Sequence, residues 1–158
     1  HPVQWVGEFS APSKWRGTPN AAVDAAWDSI AHMGAISVPT EELERLGRLR
    51  NSSVTLPSGD GGGYMASIAA FHQMHCLNLL RKYSYLDYYR VKPDEAAFFN
   101  APTLRVHVDH CIEMLRQVLM CSADLHLIVY DWVEQVHYPW PDFGTDHMCR
   151  DYEQVHNW

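Results

Sequence analysis

The sequence lacks a long apolar run, and it lacks a cluster of basic residues. No stretch approaches the roughly 20 apolar residues of a membrane-spanning helix. The most apolar segment, Leu125 to Val133, is interrupted by His126 and Asp131. Lysine and arginine number 12 against 19 aspartates and glutamates, which gives a net charge of −7. A nucleic-acid binder needs a basic surface, so we expect no nucleic-acid partner.

Two further signatures are missing. The triple glycine at 61–63 is not followed by the Lys-Ser/Thr pair of a phosphate-binding loop, so it predicts a turn. The first residues do not show the charged region and apolar core of a secretory signal peptide. We expect a soluble domain that corresponds to a processed or trimmed chain.

The composition favours a single globular domain over residues 1–158. Hydrophobic residues make up 47% of the chain and charged residues 20%, which is ordinary for a folded protein and excludes disorder. The unusual component is histidine, with ten residues, accompanied by six tryptophans and eight tyrosines. Histidine is the commonest metal ligand and a common acid–base group, so its excess points to a site of one of these kinds.

The four cysteines are Cys76, Cys111, Cys121 and Cys149. They permit two disulfides in three connectivities, and we favour pairing each of the first two with one of the last two. Asn51 begins an Asn-Ser-Ser glycosylation sequon. Together these features favour a secretory or extracellular compartment, and the alternative is a reduced cytosolic protein with buried thiols.

Helical periodicity predicts a mainly α fold, a compact helical domain with few or no short strands. The expected elements are an irregular arm at 1–19, helices at 20–32 and 39–49, long helices at 64–85 and 102–123, and a short terminal helix at 149–158. The segment 125–133 fits either a short strand or an extension of the preceding helix.

The strongest signal is a near-repeat of twelve residues. Segments 71–82 and 106–117 are identical at five positions, and both contain His-x-x-His-Cys. Residues three and four apart share one face of a helix, so each copy forms a clip of two histidines beside a cysteine. Two long antiparallel helices packed along these faces bring four imidazoles together. The four histidines are His72, His75, His107 and His110.

These histidines favour a redox metal. Nitrogen ligands suit copper, zinc, iron or nickel, and a histidine-only site in an oxidising compartment favours Cu²⁺ over Zn²⁺. A zinc hydrolase needs a carboxylate base, but Asp109 points well away from the midpoint of His107 and His110 around the helix. The alternative without a metal is a buried polar cluster or a surface pair on each helix.

Several other residues are weaker candidates. His147 lies near Cys149 and is a candidate fifth metal ligand, or a group that supports the ligands. His126 and His137 fit surface or core positions better than ligand positions. We expect Arg81 and Arg116 to anchor their helices through salt bridges. The candidates for lining a substrate pocket are Tyr64, Tyr130, Trp132 and Trp140.

The two motifs resemble those of the fungal UstYa-like family of oxidases. The resemblance rests on Phe71-His-Gln-Met-His-Cys-Leu-Asn and His107-Val-Asp-His-Cys-Ile. It extends from Trp15 to Trp158. The further blocks that are similar to the family are Val23-Asp-Ala-Ala-Trp27, Gly62-Gly-Tyr64, Leu119-Met-Cys-Ser-Ala-Asp124 and His147-Met-Cys-Arg150.

The resemblance implies copper-dependent oxidation in fungal secondary metabolism. Family members cyclise ribosomal peptides, desaturate, hydroxylate or halogenate their substrates. The four motif histidines would bind one or two copper ions, with O₂ or peroxide as co-substrate, for hydrogen-atom abstraction from a small-molecule or peptide substrate. Members usually begin with one transmembrane helix. We therefore expect a lumenal domain of an anchored protein, or a secreted one, that forms homo-oligomers or hetero-oligomers with a homologue.

Three alternatives stay open. The amine and imidazole of His1 could chelate copper as in histidine-brace oxygenases, although we expect His1 to be only a chain boundary. The domain could be a non-catalytic metal-binding or partner subunit of a hetero-oligomeric oxidase. It could also be a zinc hydrolase.

Overall fold

The computed structural model describes residues 1–157 and is mainly α-helical, as predicted. Its helices are α1 (Ala21–Ala31), α2 (Thr40–Arg45), α3 (Ala69–Ser84), α4 (Leu86–Val91), α5 (Ala96–Phe99), α6 (Leu104–Ser122) and α7 (Tyr152–His156). A 3₁₀ turn spans Ser58–Asp60. Within residues 1–157, no helix combines the length and the apolar character needed to cross a bilayer.

Within the described residues, six strands of three residues each form antiparallel pairs, so the expectation of few or no short strands is wrong. The strands are β1 (Pro2–Gln4), β2 (Ile36–Val38), β3 (Tyr64–Ala66), β4 (Val129–Asp131), β5 (Trp140–Asp142) and β6 (Asp146–Met148). The pairs are β1 with β6, β2 with β3, and β4 with β5. Three residues are too few to display the apolar alternation that identifies a strand in a sequence.

Several elements begin or end at other residues than predicted. The first long helix begins at Ala69, because Tyr64–Ala66 forms β3. The N-terminal arm is not wholly irregular, since it contains β1. Helix α6 ends at Ser122, where Ala123 adopts a left-handed φ of 40°, and the segment after it contains β4. Trp158, the last residue of the predicted terminal helix, lies outside the described residues.

The predicted glycine turn is confirmed at Gly63. Its φ is +69°, a conformation that residues with a side chain rarely adopt. A Cβ at this position would lie 2.7 Å from the carbonyl oxygen of Val38. Glycine therefore lets the chain pass close to β2 before it enters β3.

Helix α1 begins at a side-chain cap. The Oδ1 atom of Asn20 accepts hydrogen bonds from the backbone nitrogens of Ala22 and Val23, at 2.9 and 3.0 Å. Such a cap satisfies amide groups that have no partner within the helix. Helix α1 buries Val23 and Trp27 and packs against α3.

The hydrophobic core lies between α3 and α6 and is closed by α4 and α5. Its buried members are Cys76, Leu79, Tyr89, Phe99, Leu104, Val108 and Cys111. The motif cysteines belong to this core. Each motif histidine lies one or four residues before its motif cysteine, so the helices hold the histidines at the rim of the core.

Candidate metal centre

The four motif histidines meet across two helices. His72 and His75 lie on α3, and His107 and His110 lie on α6. The ring centres of His72 and His110 are 5.5 Å apart, and those of His75 and His107 are 6.5 Å apart. The first histidine of each motif thus faces the second histidine of the other motif. Within α3, the ring centres of His72 and His75 are 6.3 Å apart.

The cluster is open on the α6 side. His72 and His75 are half-buried, whereas His107 and His110 are exposed. The Nε2 atom of His72 lies 3.8 Å from the Sγ atom of Cys76 on the core side. The ring of Phe98 packs against His107, with the ring centres 5.4 Å apart. One side of the cluster is therefore enclosed by protein, and the other is accessible to solvent or substrate.

The environment favours the neutral form of His75. Burial lowers the pKa of this imidazole, and the neighbouring His72, His107 and Lys82 lower it further. Only an imidazole nitrogen without a proton can bind a metal ion. His75 is therefore ready to act as a ligand at neutral pH.

The donor set fits a nitrogen-preferring transition metal. With metal–nitrogen bonds of about 2.0 Å, the rings around one ion have centres roughly 4.5–6.5 Å apart, close to the spacings found here. Among residues 1–157, no three of these histidines bring their ligand atoms within 4.8 Å of one another, so side-chain rotation has to complete the site. The geometry fits one shared ion or two ions, one at each facing pair.

The carboxylate nearest to the motif histidines in the sequence is engaged elsewhere. Oδ2 of Asp109 accepts a hydrogen bond from Nε of Arg105 at 3.1 Å, and the pair lies on the exposed face of α6. This placement confirms that Asp109 points away from His107 and His110. It offers no support for a hydrolytic base at the motif site.

The motif cysteines face each other inside the core. Cys76 and Cys111 are fully buried in the same core cluster, close enough for the thiols to influence each other. Burial, together with the Cys76 thiol, raises the pKa of Cys111 to about 12. All four cysteines are free thiols. The predicted pairing with Cys121 and Cys149 is not formed, because the helix faces that bury the motif cysteines bring them to each other.

A cavity of about 520 Å³ opens beside His75. Its lining includes the charged side chains of Asp28, Lys82 and Glu95. It also includes apolar residues, among them Met33 and Phe98. A ligand with both polar and apolar groups fits such a lining, and it would lie next to the motif histidines.

The predicted pocket residues do not line this cavity. Tyr64 belongs to β3 and is paired with β2. Tyr130 and Trp132 are largely exposed, at and after β4. Trp140 packs against Phe9, with ring centres 5.3 Å apart, in a separate part of the molecule. Aromatic character alone did not distinguish residues that line a pocket from residues that pack elsewhere.

His147 lies too far from the motif histidines to be a fifth ligand. Its Nε2 atom is 3.0 Å from Oδ2 of Asp124, just beyond the end of α6. His110 lies near the other end of this helix. Ser122 is twelve positions after His110 in the helix, which at 1.5 Å per residue is about 18 Å. The two histidines cannot bind the same ion.

The remaining candidates are at the surface. Asn51 is exposed in a turn, where a sequon is accessible. His137 is exposed and His126 is half-exposed, which agrees with the expected surface positions. The N-terminal amine of His1 donates a hydrogen bond to the carbonyl oxygen of Cys149 at 2.6 Å.

The sequence reasoning missed a buried ion-pair cluster centred on Asp24. Its carboxylate accepts from Nη2 of Arg81 at 2.9 Å, from the hydroxyl of Tyr89 at 2.6 Å and from Nζ of Lys92 at 2.7 Å. The feature of the sequence that indicates this cluster is an aspartate between Val23 and Trp27, on the buried face of α1. The predicted anchoring role of Arg81 is confirmed. Arg116, in contrast, pairs with Glu113 within α6.

The whole chain, residues 1–158, matches the family described as "Mycotoxin biosynthesis protein UstYa". The chain belongs to the UstYa family. This confirms the resemblance drawn from the paired histidine motifs. No solved structure matches the chain.

Several curated fungal proteins are similar to this UstYa family chain. UstYa family oxidase aprY of Aspergillus flavus is 32% identical over 150 residues, which cover 90% of this chain and 45% of that protein. Transacylase cctO of Talaromyces islandicus is 29% identical, covering 95% of this chain and 52% of the relative. Chlorinase cctP2 of the same species is 29% identical, and the match covers 85% of this chain and 39% of that protein. The chain thus spans about half the length of these relatives or less.

Proposed function

We propose that this chain is the catalytic domain of a copper-dependent oxidase of fungal secondary metabolism. The observation that carries the proposal is the meeting of His72 with His110 and of His75 with His107. If α3 and α6 pack antiparallel along the faces that carry the motifs, the first histidine of each motif faces the second histidine of the other, which is the pairing found here. Membership of the UstYa family and the name of the relative aprY support an oxidative activity.

Copper at this site would supply one-electron redox chemistry with O₂ or peroxide, for the removal of a hydrogen atom from a C–H or O–H bond. The chain's own contribution is to hold four imidazoles on two rigid helices. The half-buried His72 and His75 fix the inner side of the site. The exposed His107 and His110 leave its outer side accessible to a substrate.

The cavity beside His75 is the proposed substrate site. Lys82 and Glu95, which both line it, form an ion pair, and Phe98, another lining residue, packs against His107. A small molecule or a short peptide segment fits a volume of about 520 Å³. Oxidative cyclisation, desaturation, hydroxylation and halogenation all begin with the same hydrogen-atom removal, and the fate of the radical depends on the bound substrate.

We also propose that the chain acts in the lumen of the secretory pathway. It spans about half of aprY, so a longer protein with a membrane anchor is compatible with it. Asn51 is exposed and would carry the glycan there. A homologue is the proposed partner in an oligomer. Loss of a glycan-sized mass on substitution of Asn51 by Gln in a fungal host tests the compartment.

The first experiment measures copper retention. The purified protein is loaded with Cu²⁺ and desalted, and the copper per chain is determined by elemental analysis together with an electron paramagnetic resonance spectrum. We expect one copper with a nitrogen-rich type 2 signal, or two coppers with a coupled, silent spectrum. His75→Ala and His110→Ala, one on each helix, should each lose most of this copper.

His137→Ala is the matched control, because His137 is an exposed histidine outside the motif site. It should retain copper at the wild-type level. Equal copper in all three variants would remove the motif histidines from the metal site. Full retention of zinc in place of copper would favour the hydrolase alternative. Copper retention without turnover of any pathway substrate would favour the non-catalytic partner subunit.

A further inference from the structure

A second group of metal-binding side chains lies at the opposite end of α6 from the motif site. Asp124 follows the helix directly, His126 comes two residues later, and His147 belongs to β6. Oδ1 of Asp124 is 2.5 Å from Nδ1 of His126, and Oδ2 is 3.0 Å from Nε2 of His147. The carboxylate oxygen and the two imidazole nitrogens that could bind an ion all lie within 4.8 Å of one another.

The hydrogen bonding of His147 makes its Nε2 atom an electron-pair donor. Nδ1 lies 3.1 Å from the carbonyl oxygen of Thr145, which can only accept a hydrogen bond. Nδ1 therefore carries the hydrogen, and in the neutral ring Nε2 carries the lone pair. In that neutral ring the lone pair faces a carboxylate oxygen of Asp124 at 3.0 Å, whereas a protonated ring would donate to the same oxygen. A backbone carbonyl that orients the second ring nitrogen is the usual arrangement for a metal-ligating histidine.

The packing fixes the side chain of His147 and leaves the side chains of Asp124 and His126 free to adjust their positions. The side chain of His147 is only 8% exposed, and the ring of Trp5 stacks on it with ring centres 3.5 Å apart. The side chains of Asp124 and His126 are 46% and 48% exposed. The imidazoles of His126 and His147 lie with their ring centres 4.1 Å apart. An ion bound here would keep water molecules in its remaining coordination positions.

We infer that Asp124, His126 and His147 form a second metal site that takes a divalent transition-metal ion such as Zn²⁺. Two imidazole nitrogens and one carboxylate oxygen suit zinc and the neighbouring first-row metals, and they do not suit Mg²⁺ or Ca²⁺. The ion would connect the end of α6 to β6. Because β1 pairs with β6 and Trp5 stacks on His147, the ion would also secure the N-terminal segment.

The test uses Zn²⁺ as the probe and removes the motif site first. The His75→Ala/His110→Ala double variant is stripped with a chelator and dialysed against Zn²⁺. The bound zinc is measured by elemental analysis, and the melting temperature is measured with and without Zn²⁺. We expect about one zinc per chain in this background and a melting temperature that rises on zinc addition.

Adding His126→Ala to the double variant should abolish both the bound zinc and the rise in melting temperature. Asp124→Asn provides a second variant with almost unchanged shape, and it should also lose the zinc. His137→Ala in the same background is the control and should keep both effects. No zinc in the double variant, or equal zinc with and without His126, would overturn the inference and leave a hydrogen-bonded cluster only. Because His75 and His110 are already replaced, and the variants compared differ only at His126, Asp124 or His137, either result is independent of the proposed copper site.

Discussion

Arg81 on α3 donates a hydrogen bond from Nη2 to Oδ1 of Asp24 on α1 over 2.9 Å, and both side chains are almost fully buried. Lys92, which follows α4, donates to the other oxygen of the same carboxylate. One buried anion therefore joins α1 and the end of α4 to α3, the helix that carries His72 and His75. Its charge is offset by two cations, so the loss of the anion leaves Arg81 without its carboxylate partner and leaves Lys92 with only Glu95, at 3.6 Å.

Asp24→Asn should destabilise the protein strongly while keeping its shape almost unchanged. Removing one partner of a buried ion pair typically costs about 3–5 kcal/mol, because the remaining charge stays buried without compensation. We expect the free energy of unfolding, measured by urea denaturation, to fall by about 3 kcal/mol. Asp28→Asn on the exposed face of α1 is the control and should change it by less than about 0.5 kcal/mol. Equal urea midpoints for Asp24→Asn and the wild type would contradict this role.

Asp24 should also make the stability fall in acid. Burial opposes its ionisation, but hydrogen bonds from Lys92, Tyr89 and Arg81 outweigh this effect and lower its pKa from 3.8 to about 2. The folded state thus releases the proton more readily than the unfolded chain. The stabilisation is complete above about pH 4 and is lost as the pH falls towards 2, and it amounts to about 2 kcal/mol.

The measurement is the difference in unfolding free energy between the wild type and Asp24→Asn across this pH range. The difference should shrink as the pH falls from about 4 to about 2. Asp124 and Glu113 also have pKa values near 2, but they are common to both proteins and cancel in the difference. A pH-independent difference would show that the charge of Asp24 does not stabilise the fold.

The two histidine pairs, one on each long helix, could be predicted because they depend on local helix geometry. Residues three apart share a helix face whatever the rest of the fold does, and the segments around His72 and His107 are long enough to show a helical period. The crossed pairing of the clips then follows from the packing of α3 against α6. For the same reason, Cys76 and Cys111 could be assigned to helix faces, but their contact with each other required the packing.

Contacts between distant segments could not be predicted. Asp124 and His147 are 23 residues apart, and they meet where β6, which pairs with β1, lies beside the end of α6. Three-residue strands carry too little periodicity to be recognised, so this pairing has no signature in the sequence. The cavity beside His75 likewise depends on how α1, α3 and α5 pack together. Trp132 was predicted to line a substrate pocket because it is aromatic, but its side chain is exposed.

His75 should titrate below the ordinary histidine range in the metal-free protein. Burial and the nearby His72, His107 and Lys82 all disfavour its charged form. We expect its imidazole resonances, followed by nuclear magnetic resonance, to show a midpoint below 6.5. His72→Gln removes one neighbouring imidazole and should move the midpoint upwards. The exposed Arg48→Gln is the control for nonspecific electrostatic effects and should not move it. A midpoint at or above 6.5 in the wild type would place His75 in open solvent.

The reactivity of the cysteines tests how α3 and α6 are rotated about their own axes. Cys76 and Cys111 are fully buried, and burial raises the pKa of Cys111 to about 12, so little of the reactive thiolate forms at pH 8. In the reduced folded protein, iodoacetamide should modify the exposed Cys121 first, and the two motif cysteines at least about a hundredfold more slowly. Peptide mass spectrometry measures each rate.

Denaturation in urea should equalise the four rates, and Cys121→Ser should remove the fast product. Each motif cysteine follows its second histidine directly, so the rotation that buries the thiol also sets the direction of the imidazole. Rapid modification of Cys76 or Cys111 in the folded protein would mean that α3 or α6 is rotated about its axis. Because the histidines would rotate with the cysteines, such a result would also remove the facing pairs on which the metal site depends.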